Sequence, residues 1–211
     1  MKIIKQGGLK DICKVIHSSL EGEMSWNKQY LIRFGCDAAS ILLKDNPQSF
    51  RFAIESGGII DEIIFLLIRL PIGNINQFNL VSLCHIVNSS NYEQIKILVE
   101  KGILKTMNRT LNSGNELVQE YSVLIFKVIT FAIGELEGEG KPHPLLKEME
   151  NDGTLTKLIE IFQNDKYNNK DINLQSACSI GYLYKATPIP IEFGSSIIIH
   201  LKDYIIKPNN Q

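Results

Sequence analysis

Charge of one sign is what this 211-residue chain lacks most plainly: 22 Lys and Arg stand against 23 Asp and Glu, a formal net charge of −1. No global field draws it to nucleic acid or to an anionic bilayer, and neither is expected as a partner. Hydrophobic runs are short. Met1 to Gly8 has neither the apolar stretch nor the cleavage site of a secretory signal. The most apolar segment, Ile59 to Leu70, carries Asp61, Glu62 and Arg69 and stops at Pro71, too short and too charged to span a bilayer. Cysteine is sparse: Cys13, Cys36, Cys84 and Cys178 lie far apart, each within an apolar run. They read as reduced thiols packed in a core, not as disulfides. The expected place is the cytosol or nucleus, and the Asn-x-Ser/Thr matches at Asn88 and Asn108 then read as chance.

Catalytic and metal signatures are also lacking. His17, His85, His143 and His200 sit in separate segments, and none pairs with a cysteine at metal-ligand spacing. No metal or cofactor is expected. Gly134 to Lys141 is superficially like a phosphate loop, but it has one residue too many between its glycines. Pro142 also stands where Ser or Thr is needed, and Glu135, Glu137 and Glu139 would repel phosphate. It reads as an acidic, mobile, solvated insertion running on to Pro144. No Ser-His-Asp, Cys-His or paired-carboxylate arrangement can be proposed from spacing, so the chain is read as non-catalytic. Strict two-residue alternation between turns is missing, so an all-α fold is expected.

What is present is a repeated helical plan, fullest between Asn91 and Ile133: a short amphipathic run, Gly102, a second run to Leu111, a polar turn, then a long apolar helix. A glycine opening an amphipathic helix recurs at Gly8, Gly58, Gly102 and Gly153, spaced 50, 44 and 51 residues apart. Such periods belong to helical repeats with loop insertions. The units fall at 1–44, 45–90, 91–134 and 142–186, with closing helices over 187–206, all in one domain. The first enters at its second helix, Leu9 to Leu20, followed by a long helix from Trp26 to Lys44. Pro47 starts the next unit, and Lys207 to Gln211 makes a polar end. The long helices are expected to end at Ile133 and Ala186, and the closing helix to begin at Ser195.

Other side chains carry two readings. Lys96, Lys101, Lys105 and Arg109 cluster around Gly102, as a solvated face or as a phosphate or acidic-peptide contact. His85 is a groove residue or a satisfied buried imidazole. Phe50, Phe52, Phe65, Phe126, Phe131 and Phe162 are read as core. Trp26 caps the core or anchors a partner, the cap being preferred.

At these turns the chain resembles the armadillo repeat family. The resemblance is carried by Glu55-Ser56-Gly57-Gly58-Ile59 and Leu98-Val99-Glu100-Lys101-Gly102-Ile103-Leu104 at the glycine turn. Asn115-Glu116-Leu117-Val118-Gln119-Glu120 matches the opening of the third helix, and Leu174-Gln175-Ser176-Ala177 matches it loosely. It implies a right-handed α-α superhelix of about four repeats, with third helices lining a groove. Aligning those helices puts Ser40, His85, Lys127 and Tyr182 where importin-α-like members carry asparagine, and Cys36, Val81, Val123 and Cys178 where they carry tryptophan. Neither ladder is present, which argues against a receptor for basic localisation signals. The implied groove lining is Arg33, Asp37, Ser40, Ser82, His85, Glu120, Lys127, Gln175, Ser179 and Tyr182. The function expected is a non-catalytic adaptor binding a protein or peptide segment there. Two alternatives stay open. The chain could embrace a whole folded domain, as armadillo-type exchange factors embrace a heat-shock chaperone's nucleotide domain. It could also pair weakly with a second copy through its end helices, where Ser196-Ile197-Ile198-Ile199 lies.

Overall fold

The structure is a computed structural model that describes residue 4 and residues 6–44, 46, 48–55, 58–164 and 166–206. Among these residues the regular structure is helical throughout, as expected. The helices are α1 (Gly8–Leu20), α2 (Trp26–Leu43), α3 (Ser49–Glu55), α4 (Ile59–Arg69), α5 (Gln77–Asn88) and α6 (Tyr92–Glu100). They continue with α7 (Ile103–Leu111), α8 (Glu116–Glu137), α9 (Leu146–Asn151), α10 (Thr154–Asn164), α11 (Lys170–Leu183) and α12 (Ile191–Ile206). A 3-10 turn at Ile72–Asn74 precedes α5. Pro47, the Ser56-Gly57 half of one turn match, Met1 to Ile3 and the polar end Lys207 to Gln211 lie outside the described residues.

Local chemistry sets many of the boundaries. Asn76 and Asn91 open α5 and α6 with reciprocal capping boxes, closed by the side chains of Asn79 and Gln94. The Asn169 carboxamide accepts from the amides of Asp171 and Ile172 to start α11. Three ends differ from expectation. Helix α8 continues through Gly134 to Glu137, and the missing side chain at Gly134 leaves room for the His143 ring: a Cβ there would lie 3.1 Å from His143 Cδ2. Helix α11 stops at Leu183, where the chain tightens into turns, with Lys185 N donating to the Tyr182 carbonyl and Thr187 N to that of Tyr184. Helix α12 begins at Ile191, straight after Pro190, whose fixed φ suits a helix start.

The corners themselves are left-handed glycines. Gly58, Gly102 and Gly153 have φ of 69°, 88° and 80°, and the corresponding residue before α1 is Gly7 at 91°, one earlier than the sequence suggested. Gly8 is instead the first residue of its helix. At φ near +80° an L side chain is strained, and glycine is not. So the chain reverses between α3 and α4, α6 and α7, and α9 and α10 by one device.

Contacts group the chain into two compact units, Met1–Ile125 and Phe126–Gln211, the boundary falling inside α8. In the first, α1 packs on α4 and α4 on α7, while α2 packs along α5. The core includes Leu9, Ile16, Ile59, Ile60, Ile63, Leu66, Leu67, Leu80, Leu83 and Ile86, all fully buried. Each such side chain contributes about 1.5–3 kcal/mol on burial. In the second unit α9 packs on α10, α10 on α11 and α11 on α12. Helix α8 is long and apolar enough to cross a bilayer, but 61% of its most apolar window is buried inside the protein, as in a core helix.

Several polar expectations change. Arg109 is half-buried and donates to the carbonyls of Leu67 and Leu70, closing the end of α4. Lys101 pairs with Asp61 at 2.7 Å. Two members of the basic cluster are therefore engaged within the fold. Phe50, Phe126 and Phe162 are core, but Phe65 and Phe131 are exposed. Phe65 lies beside His17 (5.7 Å between ring centroids) and under Arg69. His143 is not a solvated loop residue. It is 3% exposed and hydrogen-bonds to the Thr130 carbonyl at 2.8 Å, so the acidic insertion is tied back to α8.

Candidate peptide-binding faces on the long helices

Helix α2 has two distinct sides. Ile32, Cys36, Ala39 and Leu43 recur at three- and four-residue steps and are buried. Gly35 lets α1 approach, since a Cβ there would meet Ile16 Cγ1 at 2.8 Å. The opposite side repeats every four residues with Trp26, Tyr30 and Phe34, and Ile41 extends it. These are large and exposed: Trp26 is 67% accessible, Phe34 58% and Ile41 69%. The rings touch in sequence, with centroids 4.0 Å apart for Trp26 and Tyr30 and 5.8 Å apart for Tyr30 and Phe34. Trp26 therefore does not cap the core. Beside the ladder, the Arg33 guanidinium lies 4.1 Å from the centroid of the Phe78 ring on α5.

Of the expected lining in this unit, Arg33 is exposed on the ladder side, while Asp37, His85 and Glu120 are half-buried. Ser40 and Ser82 are not available: both are buried, and the Ser82 hydroxyl donates to the Cys36 carbonyl at 2.8 Å, joining α2 to α5. The alignment implied by the resemblance runs one position off on α2, because Cys36 and Ser40 face inward while Asp37 and Ile41 do not. Burial pushes the Cys36 thiol up to about 12, with the Asn79 amide hydrogen bond working against that rise. Cys13 rises to about 11, through burial first and then the nearby Glu62 carboxylate. These thiols are packing groups.

In the second unit α8 and α11 carry Lys127, Phe131, Gln175, Cys178 and Tyr182. The rings of Phe131 and Tyr182 lie 5.1 Å apart. Burial raises the Tyr182 phenol, with smaller contributions from Cys178 and Glu135. Burial also raises Cys178, against the pull of the Lys127 ammonium. Gln175 is half-buried, and its Oε1 is buried without a hydrogen-bond partner among the described residues. Ser179 is buried and donates to the Gln175 backbone carbonyl at 2.8 Å, so it leaves the candidate set. Among the described residues no three His, Cys, Asp or Glu side chains gather as metal ligands would.

The sequence reading preferred the core cap to the partner anchor for Trp26, and it missed Tyr30, Phe34 and Ile41 as surface groups with the half-buried Phe78 beside them. The signal was available: an aromatic every four residues on the side of α2 opposite its Ile32-Cys36-Ala39-Leu43 stripe.

A short helix, a left-handed glycine, a second helix and a longer third one, repeated along an all-helical chain, define an armadillo-like repeat fold. The chain is similar in structure to a designed armadillo repeat protein, YIII(Dq)4CqI, with a TM-score of 0.60 over 91% of this chain and 69% of that one. The two share 16% sequence identity, so the likeness is one of fold. No family model matches the chain, and no curated protein matches it in sequence.

Proposed function

We propose that this chain is a non-catalytic interaction scaffold that captures a protein segment on the exposed sides of its long helices. The armadillo-like fold is commonly used for protein binding and is typically non-catalytic. The observation that carries the reading is the Trp26-Tyr30-Phe34-Ile41 stripe, flanked by Arg33 and Phe78. Contiguous exposed apolar groups mark interaction surfaces, and Trp, Tyr and Arg dominate binding energy where they occur. Lys127, Phe131 and Tyr182 offer a second surface with a cation and two rings. A cytosolic or nuclear setting belongs to the same reading, supported by four cysteines on separate helices.

The test is selection of a random peptide library displayed on phage against the immobilised chain. Wild type should enrich a consensus, Trp26→Ala/Phe34→Ala should lose it with thermal stability little changed, and Lys127→Glu/Tyr182→Ala reports the second surface by itself. Equal enrichment by all three proteins removes both surfaces.

A second reading has its own observation. On α12, Ile197 is fully buried while Ile198, Ile199 and Tyr204 remain exposed and Ile191 is 87% accessible. Pairing of two copies through this helix would cover them. Light scattering of wild type against Ile191→Lys/Ile199→Lys decides it, a monomer mass for wild type removing the idea.

A further inference from the structure

We infer that His143 is an acid-released latch holding the segment between α8 and α9. The imidazole makes two hydrogen bonds of opposite sense. Its Nε2 lies 2.8 Å from the Thr130 carbonyl, which can only accept. Its Nδ1 lies 3.1 Å from the Leu145 amide, which can only donate. One species satisfies both: the neutral ring with its proton on Nε2. A second proton would go on Nδ1 and face the Leu145 N–H, donor against donor, at a site 3% exposed.

The surroundings make the ring a fastening point between two elements. Gly134 gives it space on α8. The His143 carbonyl accepts from Leu146 N at 3.2 Å in the first turn of α9, where Leu145 and Leu146 are buried. Lys185, just past α11, donates to the carbonyls of Gly134 and Gly138. Two charged groups act on the ring, Lys185 against the imidazolium and Glu137, near the end of α8, in its favour. Among the described residues no carboxylate hydrogen-bonds to it, and the direct contact that favours the protonated form is the Thr130 carbonyl.

Burial is the largest influence and moves the imidazole below its ordinary 6.5, only partly offset by the Thr130 hydrogen bond. For a base lowered on folding, the unfolded chain binds more protons between the two values. Stability is then fully present above the unfolded value and falls as the pH drops through the folded one. The latch holds at neutral pH and opens in acid.

Nuclear magnetic resonance of the full chain tests this. The His143 ring should show the Nε2–H tautomer at neutral pH and titrate with a midpoint below 6.5, and the Leu145 amide should shift with the same midpoint. In His143→Gln the Leu145 response should disappear, and the fall of Tm on acidification should shrink. An Nδ1–H tautomer, a midpoint at or above 6.5, or a Leu145 amide indifferent to the titration overturns the proposal. The wild-type titration decides by itself if the variant does not fold.

Discussion

The guanidinium of Arg33 sits 4.1 Å from the centroid of the Phe78 ring, joining α2 to α5 on the side that bears the aromatic ladder. A cation over an aromatic face at a solvent-exposed site contributes about 0.5–1 kcal/mol. Beneath it the Ser82 hydroxyl and the Cys36 carbonyl join the same helices inside the core. A double-mutant cycle of Arg33→Ala and Phe78→Ala, read by urea unfolding, should return a coupling of about 0.5–1 kcal/mol. Strict additivity would show that the two side chains are merely adjacent.

Trp26 is the chain's sole tryptophan, so its fluorescence reports the ladder without ambiguity. With the ring 67% accessible, emission should be red-shifted and readily quenched by iodide in the native state. Unfolding should change it less than it would a buried indole. Trp26→Ser should alter stability by no more than about 0.5 kcal/mol, as at other surface positions. A blue-shifted, iodide-resistant spectrum would return Trp26 to the core and remove the main support for the binding face.

How far the sequence could be read follows from these residues. Helix order was legible because apolar period and glycine corners are local signals, and the structure gives the corners at Gly58, Gly102 and Gly153 a left-handed backbone. The match at Val118-Gln119 has a physical basis: the Gln119 amide donates to the Leu111 carbonyl at 2.9 Å, satisfying the end of α7. The candidate face was less legible. A one-residue shift rotates a helix by about 100°, so aligning Cys36 and Ser40 to groove positions turned interior residues outward. Trp26 carries both readings in the sequence because an aromatic at a helix start serves a core and a surface equally well until the opposite face is known. His143 was hidden by its acidic, glycine-rich neighbours, since the bonds that bury it reach back to Thr130, 13 residues earlier.

Gly102 isolates the backbone term. Its φ is 88°, and a Cβ there would meet nothing within 4 Å, so Gly102→Ala introduces strain without a clash. The left-handed conformation costs a residue with a Cβ about 1–2 kcal/mol, and that is the expected loss in unfolding free energy. Gly102→Asn should lose less, because asparagine tolerates this region better. Equal stability of all three proteins would mean that the corner is not held at positive φ.

Arg109 separates a structural from a ligand-binding role. Its guanidinium fork satisfies two carbonyls at the end of α4, those of Leu67 and Leu70. Hydrogen bonds to a charged group contribute about 1.5–3 kcal/mol, so Arg109→Met should destabilise by roughly that amount. Arg109→Lys should recover only part, since an ammonium lacks the planar fork. Added phosphate should raise the Tm of wild type no more than that of Arg109→Met, since its general salting-out effect acts on both, and a clear excess in wild type would restore the phosphate-contact reading of this cluster.

The cysteines give a graded chemical test. Thiolate is the reactive form, so a buried thiol raised to about 12 at Cys36, or about 11 at Cys13, should be nearly inert to iodoacetamide in the native protein. Cys178 is half-buried, and the Lys127 ammonium opposes its rise, so it should be alkylated first. Lys127→Glu should slow that reaction by removing a favourable charge and adding an unfavourable one. The same shifts set a sign for stability in base. These acids are raised on folding, so the unfolded chain loses its thiol protons first, and stability should decline as the pH climbs from the ordinary value of 9.0 towards the folded ones. Mass spectrometry of partly alkylated native protein reads the order directly, and modification of Cys36 before Cys178 would contradict the packing of α2 against α5.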